Sequence, residues 1–345
     1  RLQVTGIQAG SLLSLQYGYG MGNNNGNVLS QTIAVGGNSY EQTYSYDGVN
    51  RLASAAESAG GVGSWSQTYG YDRFGNRWVA QTESNNNALR VDLQTPQVET
   101  NVDGATNRVM GPGTYMYGDG RGNLTKFGER EFVYDAENRL RTSKMGEEGE
   151  TTYSYDGEGR RVKKTTSAGT TVYVYDLMGQ LAAEYATAVS PRTGTEYLTA
   201  DHLGSTRLVT DASGNVVSRH DYLPFGEEIN AGVGGRTVAA GYAENPYVGI
   251  DPAQRFAGKE RDEETGLDYF GARYFAGAMG RFTSADPQFF QKEMLSDPSV
   301  STCIHRSNHI HLIAVPMRLD SMAIAMRDTH QSCSRWLNIR LRRRG

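Results

Sequence analysis

The stretch TYSYDGEGRRVKKTT, residues 152–166, contains a pattern that recurs along the chain and predicts its fold. Two tyrosines alternate with a small polar residue before an aspartate, and a glycine follows three residues later. An aspartate at the first position of a turn accepts hydrogen bonds from the backbone two residues on, and glycine tolerates the positive φ of the fourth position. Alternate residues of a strand lie on opposite faces, so Tyr153 and Tyr155 share one face and Ser154 lies on the other. The stretch therefore predicts a β-hairpin with an aromatic face, closed by a short bulged loop.

The same turn recurs between residues 44 and 217. The segments that share it are YSYDGVNRL (44–52), YGYDRFGNRW (69–78), YGDGRGNL (117–124), FVYDAENRL (132–140), YSYDGEGRR (153–161), YVYDLMGQL (173–181) and TDASGNVV (210–217). Their turns begin at Asp47, Asp72, Asp119, Asp135, Asp156, Asp176 and Asp211. The third residue after each aspartate is glycine or asparagine, namely Asn50, Gly75, Gly122, Asn138, Gly159, Gly179 and Gly214. The chain is thus predicted to be a series of similar hairpins.

The spacing of these repeats predicts how the hairpins assemble. Tyr134 and Tyr155 are 21 residues apart, and Tyr155 and Tyr175 are 20 residues apart, which fits two strands per repeat. A lone two-stranded hairpin is marginally stable, so the repeats must stack to bury their tyrosine faces. We expect an all-β fold, a spiral or solenoid shell of antiparallel hairpins, with a short strand–helix fragment at the C-terminal end. The alternative is a β-propeller, whose four-stranded blades repeat every ~40–45 residues.

Composition and charge exclude several classes of protein. Tyrosine (21) outnumbers phenylalanine (10), and glycine reaches 42, as is typical of turn-rich β-structure. From residue 299 onward there are eight arginines, no lysine and two aspartates, while the first 298 residues carry 26 basic and 36 acidic side chains. The acidic body is therefore not predicted to bind nucleic acid.

Both cysteines, Cys303 and Cys333, lie in the tail, so the body has no disulfide framework. No apolar run approaches the ~18 residues of a membrane span, and the opening at Arg1 suggests a chain cut from a longer one.

The repeats resemble the tyrosine–aspartate (YD) repeats of the RHS family, which includes the C components of insecticidal Tc toxins and the shell of teneurins. Two later stretches, HLGSTRLVTDASGNVVSRHDYLPFGE (202–227) and FAGKERDEETGLDYFGARYFAGAMGRFTSADP (256–287), resemble the RHS repeat-associated core. The resemblance implies three regions: YD/RHS repeats at 1–199, the repeat-associated core at 200–298, and a divergent tail at 299–345. It also implies a bacterial protein that is secreted or at the cell surface, with secretion-system or cell-surface partners.

The resemblance implies a function without catalysis, together with two alternatives. In intact relatives the shell encloses and delivers a variable C-terminal toxin, and that cargo is the partner we expect; no toxin is evident in this sequence. One alternative is a surface module that recognises carbohydrate or a neighbouring cell through exposed tyrosines, as the resemblance to teneurins allows. The other is a self-cleaving, aspartyl-type protease at the core.

The self-cleavage alternative depends on a charged cluster in the core. Two carboxylates beside an arginine can share a proton, one with a raised and one with a lowered pKa. Members of the resembled family with a C-terminal toxin cut themselves after this core, and by that resemblance Asp262 and Asp286 are the catalytic candidates and Arg261 their charge partner. The other interpretation is structural: the arginines of this stretch form ion pairs and stack on aromatic rings. These arginines are Arg261, Arg273 and Arg281. The residues that follow, QFFQKEMLSDPSV, also differ from the glycine-leucine and tyrosine-rich continuation of self-cleaving members.

A second combination of catalytic residue types occurs in Asp201-His202-Leu203-Gly204-Ser205. Proximity in sequence is not the geometry of a catalytic triad, and no GxSxG pattern surrounds the serine. The segment instead predicts a turn in which Gly204 lets the chain reverse.

The tail resembles part of another family, the REP-associated tyrosine transposases. His309 and His311 lie two residues apart before an apolar run and match that family's two-histidine metal strand. The tail contains no tyrosine to act as the nucleophile, and two histidines leave a metal under-coordinated, even though Cys303 and His305 are suitable ligand types. We therefore expect no cofactor, no metal and no transposition. An amphipathic helix is predicted from Leu319, Met322, Met326, Cys333, Leu337 and Leu341.

Overall fold

The computed structural model describes residues 3–22, 24–80, 84–85, 89, 92–188, 194–245 and 252–285. Asp286, His309, His311 and the strand–helix fragment expected in the tail lie outside these residues. Within the described ranges, no helix reaches the length and apolarity of a membrane span.

The described residues form antiparallel strands joined by short turns. The strands are β1 (Gly6–Ala9), β2 (Leu13–Gly18), β3 (Ser30–Val35), β4 (Asn38–Tyr46), β5 (Leu52–Ala59), β6 (Val62–Tyr71), β7 (Arg77–Val79), β8 (Val102–Asp103), β9 (Arg108–Val109), β10 (Tyr115–Met116), β11 (Lys126–Phe127), β12 (Arg130–Tyr134), β13 (Leu140–Met145), β14 (Thr151–Tyr155), β15 (Arg161–Thr166), β16 (Gly169–Tyr175), β17 (Leu181–Ala186), β18 (Glu196–Ala200), β19 (Thr206–Asp211), β20 (Val216–Arg219), β21 (Glu260–Asp262), β22 (Leu267–Tyr269), β23 (Tyr274–Ala276) and β24 (Arg281–Phe282). Three-residue 3₁₀ turns lie at Glu99–Asn101, Val238–Ala240 and Phe256–Gly258. The prediction of an all-β fold is confirmed.

Two long meanders carry the repeats. Strands β1–β7 form one sheet and β10–β17 another, and in both sheets the strands lie side by side in sequence order. Each strand is antiparallel to the next, so every repeat adds two strands to a growing sheet. Sheets of seven and eight strands are not the four-stranded blades of a propeller. Strands β18–β20 and β21–β24 form two smaller sheets in the core region.

The turns have the predicted geometry. In the turn that opens at Asp156, the carboxylate Oδ1 accepts hydrogen bonds from the amides of Glu158, at 3.1 Å, and Arg160, at 2.8 Å. The Gly159 amide donates to the Asp156 carbonyl at 3.1 Å, and Gly159 has a φ of 83°. The strand register shifts between Ser154 and Tyr155, as expected for a bulge. All seven predicted glycine and asparagine positions have a φ between 60° and 89°.

Arginines after three of the seven turns join one repeat to the next. Arg160 Nε donates to Asp156 Oδ2 at 2.7 Å, and its guanidinium lies over the Tyr175 ring of the following repeat, 5.4 Å from the centroid. The Tyr175 hydroxyl in turn donates to the Arg161 carbonyl at 2.8 Å. The same stacked pairs recur as Arg139 on Tyr155, at 5.3 Å, and Arg51 on Tyr71, at 4.6 Å. The tyrosine, aspartate and basic residue of the motif thus form one contact unit that is shared between neighbouring hairpins.

The core region packs against both meanders. One apolar cluster combines Phe132, Leu140 and Tyr153 of the second meander with Leu267 and Tyr274. Others combine Leu52, Trp65 and Tyr69 of the first meander with Leu223 and Phe225, and Leu15, Ile33 and Tyr40 with Leu208. Arg77 donates to the carbonyls of Gly277, at 3.0 Å, and Ala278, at 2.7 Å, across 200 residues of sequence. The core region is therefore part of the same packed structure as the repeats.

Candidate functional site

Arg261 and Asp262 lie next to each other on β21 but face opposite ways. Arg261 pairs with Asp268 on β22, where both carboxylate oxygens accept from its guanidinium at 2.9 Å. Arg261 also donates to the Gly226 carbonyl at 2.8 Å. Arg261 therefore pairs with Asp268 and not with Asp262, because the pleat of the strand separates adjacent side chains. Arg261 fits the structural interpretation.

The other two arginines of the stretch also make structural contacts. The Arg273 guanidinium stacks on the Phe282 ring, 3.8 Å from its centroid. Arg281 donates to the side-chain oxygen of Asn76 at 2.9 Å and to the Asn107 carbonyl at 3.2 Å. Arg281 thus connects parts of the fold that are distant in sequence, whereas the Arg273 contact lies within the core region.

Asp262 is fully buried between two cations from the repeat region. Arg161 Nη1 lies 2.7 Å from Asp262 Oδ2, and Lys164 Nζ lies 2.9 Å from Asp262 Oδ1. Both cations come from β15, about 100 residues earlier in the chain. Burial raises the pKa of Asp262, but Arg161 and Lys164 outweigh that effect and hold the pKa below its ordinary value. Asp262 is therefore ionised at neutral pH.

Arg161 sits at the centre of this cluster. It is fully buried and pairs with both Asp262 and Glu260, whose Oε2 lies 2.5 Å from Arg161 Nη2. Its guanidinium lies near the rings of four tyrosines: Tyr153, Tyr173, Tyr269 and Tyr274. Burial alone would lower the pKa of Arg161, but the carboxylates keep the pKa well above its ordinary value. A buried cation is tolerable only when it is paired in this way.

Glu264 is the second carboxyl group of the site. Its Oε1 accepts a hydrogen bond from the Tyr153 hydroxyl at 2.8 Å, and its Oε2 lies 3.6 Å from Lys164 Nζ. Burial and the negative charge of Asp262 raise the pKa of Glu264 to about 7. The site thus combines one ionised carboxylate with one carboxyl group that holds a proton near neutral pH.

The sequence identified Asp262 but not its neighbours. Tyr153, Arg161 and Lys164 all lie within the opening stretch, where the repeat accounted for them as ordinary members of a hairpin. Arg161 and Lys164 are three residues apart on β15, and nothing in that spacing indicates that both contact Asp262, about 100 residues later. Only the acidic run Asp262-Glu263-Glu264 pointed to a charged cluster.

A second buried network holds the smaller sheet β18–β20 in place. Ser218 Oγ lies 2.8 Å from His220 Nε2, and His220 Nδ1 lies 2.7 Å from Glu228 Oε1. Arg255 Nη1 lies 2.6 Å from the other oxygen of Glu228. Burial lowers the pKa of His220 in spite of the nearby carboxylate. No sequence motif pointed to this network.

The segment 201–205 is a turn, as predicted. Asp201 Oδ1 accepts from two backbone amides of the turn, at 2.9 Å each, and Gly204 has a φ of 84°. The Ser205 hydroxyl accepts from a backbone amide of the core region at 3.0 Å. The His202 ring packs edge-on against Tyr17, 4.3 Å away. The side chains of Asp201, His202 and Ser205 thus stabilise the turn and pack it against its neighbours.

In the part of the chain that the structure describes, no group of three or more histidine, cysteine, aspartate or glutamate residues is arranged to hold a metal ion. The two histidines that resemble a metal strand, His309 and His311, and the candidate catalytic residue Asp286 lie outside that part.

Comparison with known proteins supports the interpretation of the repeats. Residues 6–172 match the family model described as "Teneurin YD-shell". The tRNA3(Ser)-specific nuclease WapA of Bacillus spizizenii is 28% identical over 263 residues, which cover 70% of this chain and 10% of that protein. Toxin subunit YenC1 of Yersinia entomophaga is 26% identical over 278 residues, which cover 72% of this chain and 26% of that protein. The chain thus spans between a tenth and about a quarter of the length of these relatives.

The fold is similar to that of solved structures as well. The crystal structure of TcdB2-TccC3-Cdc42 matches with a TM-score of 0.54 at 19% identity, covering 92% of this chain and 17% of that one. The family match covers the first meander and the second as far as β16, and the structural match covers most of the chain. Neither finding concerns the resemblance of the tail to a transposase, which has no support. The described residues therefore have the fold of a YD-repeat shell.

Proposed function

We propose that this shell forms part of a container wall that encloses and delivers a toxin, and that it does so without catalysing a reaction. The observation that carries the proposal is the packing of the core region, residues 200–285, against both meanders. A segment that packs against both sheets can hold them together as one closed wall. The names of the relatives, a toxin subunit and a nuclease, support a toxin as the cargo. A secreted or cell-surface location is part of this proposal.

The closure is built from buried charges. Arg236 of the core region forms a two-pronged ion pair with Glu57 of β5, at 2.7 and 2.8 Å, and both side chains are fully buried. Arg236 also bonds to Asp221 at 2.7 Å and lies over the Tyr40 ring, 3.9 Å from its centroid. Such buried ion pairs require a specific geometry. Replacing one partner is strongly destabilising, because the other charge is then left buried without a counter-charge or water. They suit a wall that must stay closed around its contents.

The container is tested by protection of a cargo. An unstructured reporter peptide is fused after Gly345, and its digestion by a protease is compared with that of the same peptide on a glycine-serine linker. We expect digestion on the shell to be at least about tenfold slower, and we expect Arg236→Met to abolish most of this protection. Equal digestion rates on a shell shown to be folded would reject the container function for this chain.

We infer self-cleavage as a second candidate function, and the unequal carboxyl pair of Asp262 and Glu264 favours it. The purified chain is incubated near neutral pH and its mass is followed, with Asp262→Asn as the comparison. Two fragments from the native chain and none from the variant are expected. A native chain that keeps its full mass would remove this candidate and leave the container proposal standing.

A further inference from the structure

We propose that His220 is a pH-sensitive latch, which keeps residues 252–259 on the sheet β18–β20 while it is neutral and releases them when it takes up a proton. Residues 252–259, the latch segment, lead directly into β21. Acid release of this segment goes beyond the container function, and it depends neither on a cargo nor on self-cleavage.

His220 is buried in a chain of hydrogen bonds that suits its neutral form. Ser218 Oγ lies 2.8 Å from His220 Nε2, and Glu228 Oε1 lies 2.7 Å from His220 Nδ1. Burial raises the pKa of Glu228, but His220 and Arg255 outweigh that effect and lower the pKa, so Glu228 is ionised. A carboxylate can only accept, so Nδ1 carries the ring proton and Nε2 accepts from the Ser218 hydroxyl. The neutral ring therefore satisfies both partners.

Arg255 of the latch segment shares the same carboxylate with His220. Its Nη1 lies 2.6 Å from Glu228 Oε2 and 2.7 Å from His220 Nδ1. The three residues are at most 3% exposed. While His220 is neutral, one guanidinium balances one carboxylate. A protonated His220 would place two cations on Glu228 without water to screen them, and the Ser218 hydroxyl would face an N–H group instead of an acceptor.

The other charged groups around His220 are already paired. Strand β19 supplies Arg207, which donates to the His220 carbonyl at 2.8 Å and to the Asp221 carboxylate. The second oxygen of Asp221 accepts from Arg236 at 2.7 Å. Asp221 thus faces two arginines and has no charge left to balance an imidazolium. Burial lowers the pKa of His220, and this effect outweighs Glu228 and Asp221, which raise the pKa.

The latch segment is held against the sheet by a few neutral hydrogen bonds around the Arg255 side chain. The Thr206 hydroxyl donates to the Gln254 carbonyl at 2.6 Å, and the Thr206 amide donates to the Arg255 carbonyl at 3.2 Å. The Ala257 amide donates to the Ser205 hydroxyl at 3.0 Å. Arg255 connects these bonds to the charged network of His220. Displacement of its guanidinium therefore weakens the whole contact between the segment and the sheet.

The direction of the pH effect follows from the burial of His220. Its pKa is lowered from 6.5, so the closed latch binds the proton more weakly than an open latch in which the ring is in water. The contribution of His220 to closure is therefore complete above about pH 6.5 and is lost as the pH falls below that value towards the lowered pKa. For an open state with the ordinary pKa, the closing equilibrium can fall by at most about tenfold between pH 7.5 and 5.5.

Native-state hydrogen exchange of the full chain at pH 7.5 and 5.5, corrected for intrinsic exchange rates, tests the latch. The amides of Thr206 and Ala257, which bond across the contact, should lose protection in the native chain by a factor of about three to ten. His220→Gln has a neutral hydrogen-bonding side chain at both pH values and should lose less. A loss below threefold in the native chain, or a loss in His220→Gln that equals the native one, would overturn the proposal.

His202→Gln is the matched control. His202 is a second histidine whose pKa is lowered by burial, but its ring packs against Tyr17. This variant should lose protection as the native chain does, and full protection at pH 5.5 would assign the acid sensitivity to His202 and overturn the proposal. A further measurement needs no variant: the nitrogen-15 shifts of the His220 ring in the native chain should show a mainly neutral ring at pH 6.5. A ring that is half charged or more at that pH would overturn the proposal even if both variants folded poorly.

Discussion

At the scale of single residues, the turn of the YD repeat depends on backbone conformation as much as on its aspartate. Gly159 adopts a φ of 83°, where a side chain is strained, although a Cβ there would meet only Arg139 Cδ at 4.0 Å. Gly157, two residues earlier in the same turn, has no such φ and open space around it. The backbone conformation therefore favours glycine at position 159 but not at position 157.

Gly159→Ala is expected to destabilise the chain by about 1–2 kcal/mol, the cost of placing an L-residue in the left-handed region. Gly157→Ala serves as the matched control and should be neutral or slightly stabilising, because it only restricts the unfolded chain. Urea unfolding followed by fluorescence measures both. Equal effects of the two substitutions would show that the turn does not require the left-handed conformation.

Titration provides a second prediction for single residues. The pKa of Glu264 is raised from 4.5 to about 7, so the folded state binds its proton more tightly than the unfolded state does. Its contribution to stability is present below pH 4.5 and is lost as the pH rises towards about 7. Burial opposes ionisation of the Asp156 carboxyl in the turn, but its hydrogen bonds with Arg160 outweigh burial and lower its pKa. The contribution of Asp156 to stability is therefore lost only as the pH falls below about 4.

We therefore expect the free energy of unfolding of the native chain to decline between pH 4.5 and 7 relative to Glu264→Gln, which has no proton to lose. Denaturant titrations at four pH values across this range, on both proteins, measure the difference. Parallel pH profiles for the two proteins would contradict the raised pKa of Glu264.

At the level of strands and hairpins, tyrosine and arginine side chains connect each of these repeats to its neighbour in the meander. The Tyr155 hydroxyl donates to the Leu140 carbonyl at 2.7 Å, and the Tyr155 ring carries the Arg139 guanidinium. Tyr155→Phe removes the hydrogen bond but keeps the ring, and is expected to cost about 1 kcal/mol. Tyr185→Phe, at an exposed position of β17, should cost nearly nothing. Thermal unfolding of the two variants checks this, and equal melting temperatures would show that the hydroxyl does not couple the repeats.

The turns and strands were predictable because their chemistry is local. An aspartate followed three residues later by glycine or asparagine determines a turn within five residues, and the alternation of tyrosines determines the buried face. The charge partner of Asp262 was not predictable, because the candidate next to it in sequence, Arg261, faces away. Its actual partners, Arg161 and Lys164, become neighbours only after the core region packs on the second meander.

At the scale of the whole molecule, a small number of buried charges connect the core region to the repeats. Arg236 and Glu57 are 179 residues apart and both are fully buried. Arg236→Met is expected to cost about 3–5 kcal/mol, because Glu57 is left buried without a counter-charge. Lys126→Met breaks an ion pair with the exposed Glu131 and should cost less than about 1 kcal/mol. Unfolding in guanidinium chloride measures the loss of stability in both variants. Similar losses would mean that the buried pair contributes no more than a surface pair.

We expect the core region to close the two meanders into one cooperative structure. Native-state hydrogen exchange of the whole chain measures this, because it reports the opening free energy of each segment separately. We predict that the most protected amides of β4–β6, β12–β16 and β19–β23 open with the same free energy, and that Arg236→Met lowers all three together. Fast exchange throughout β19–β23, with both meanders still fully protected, would contradict the claim.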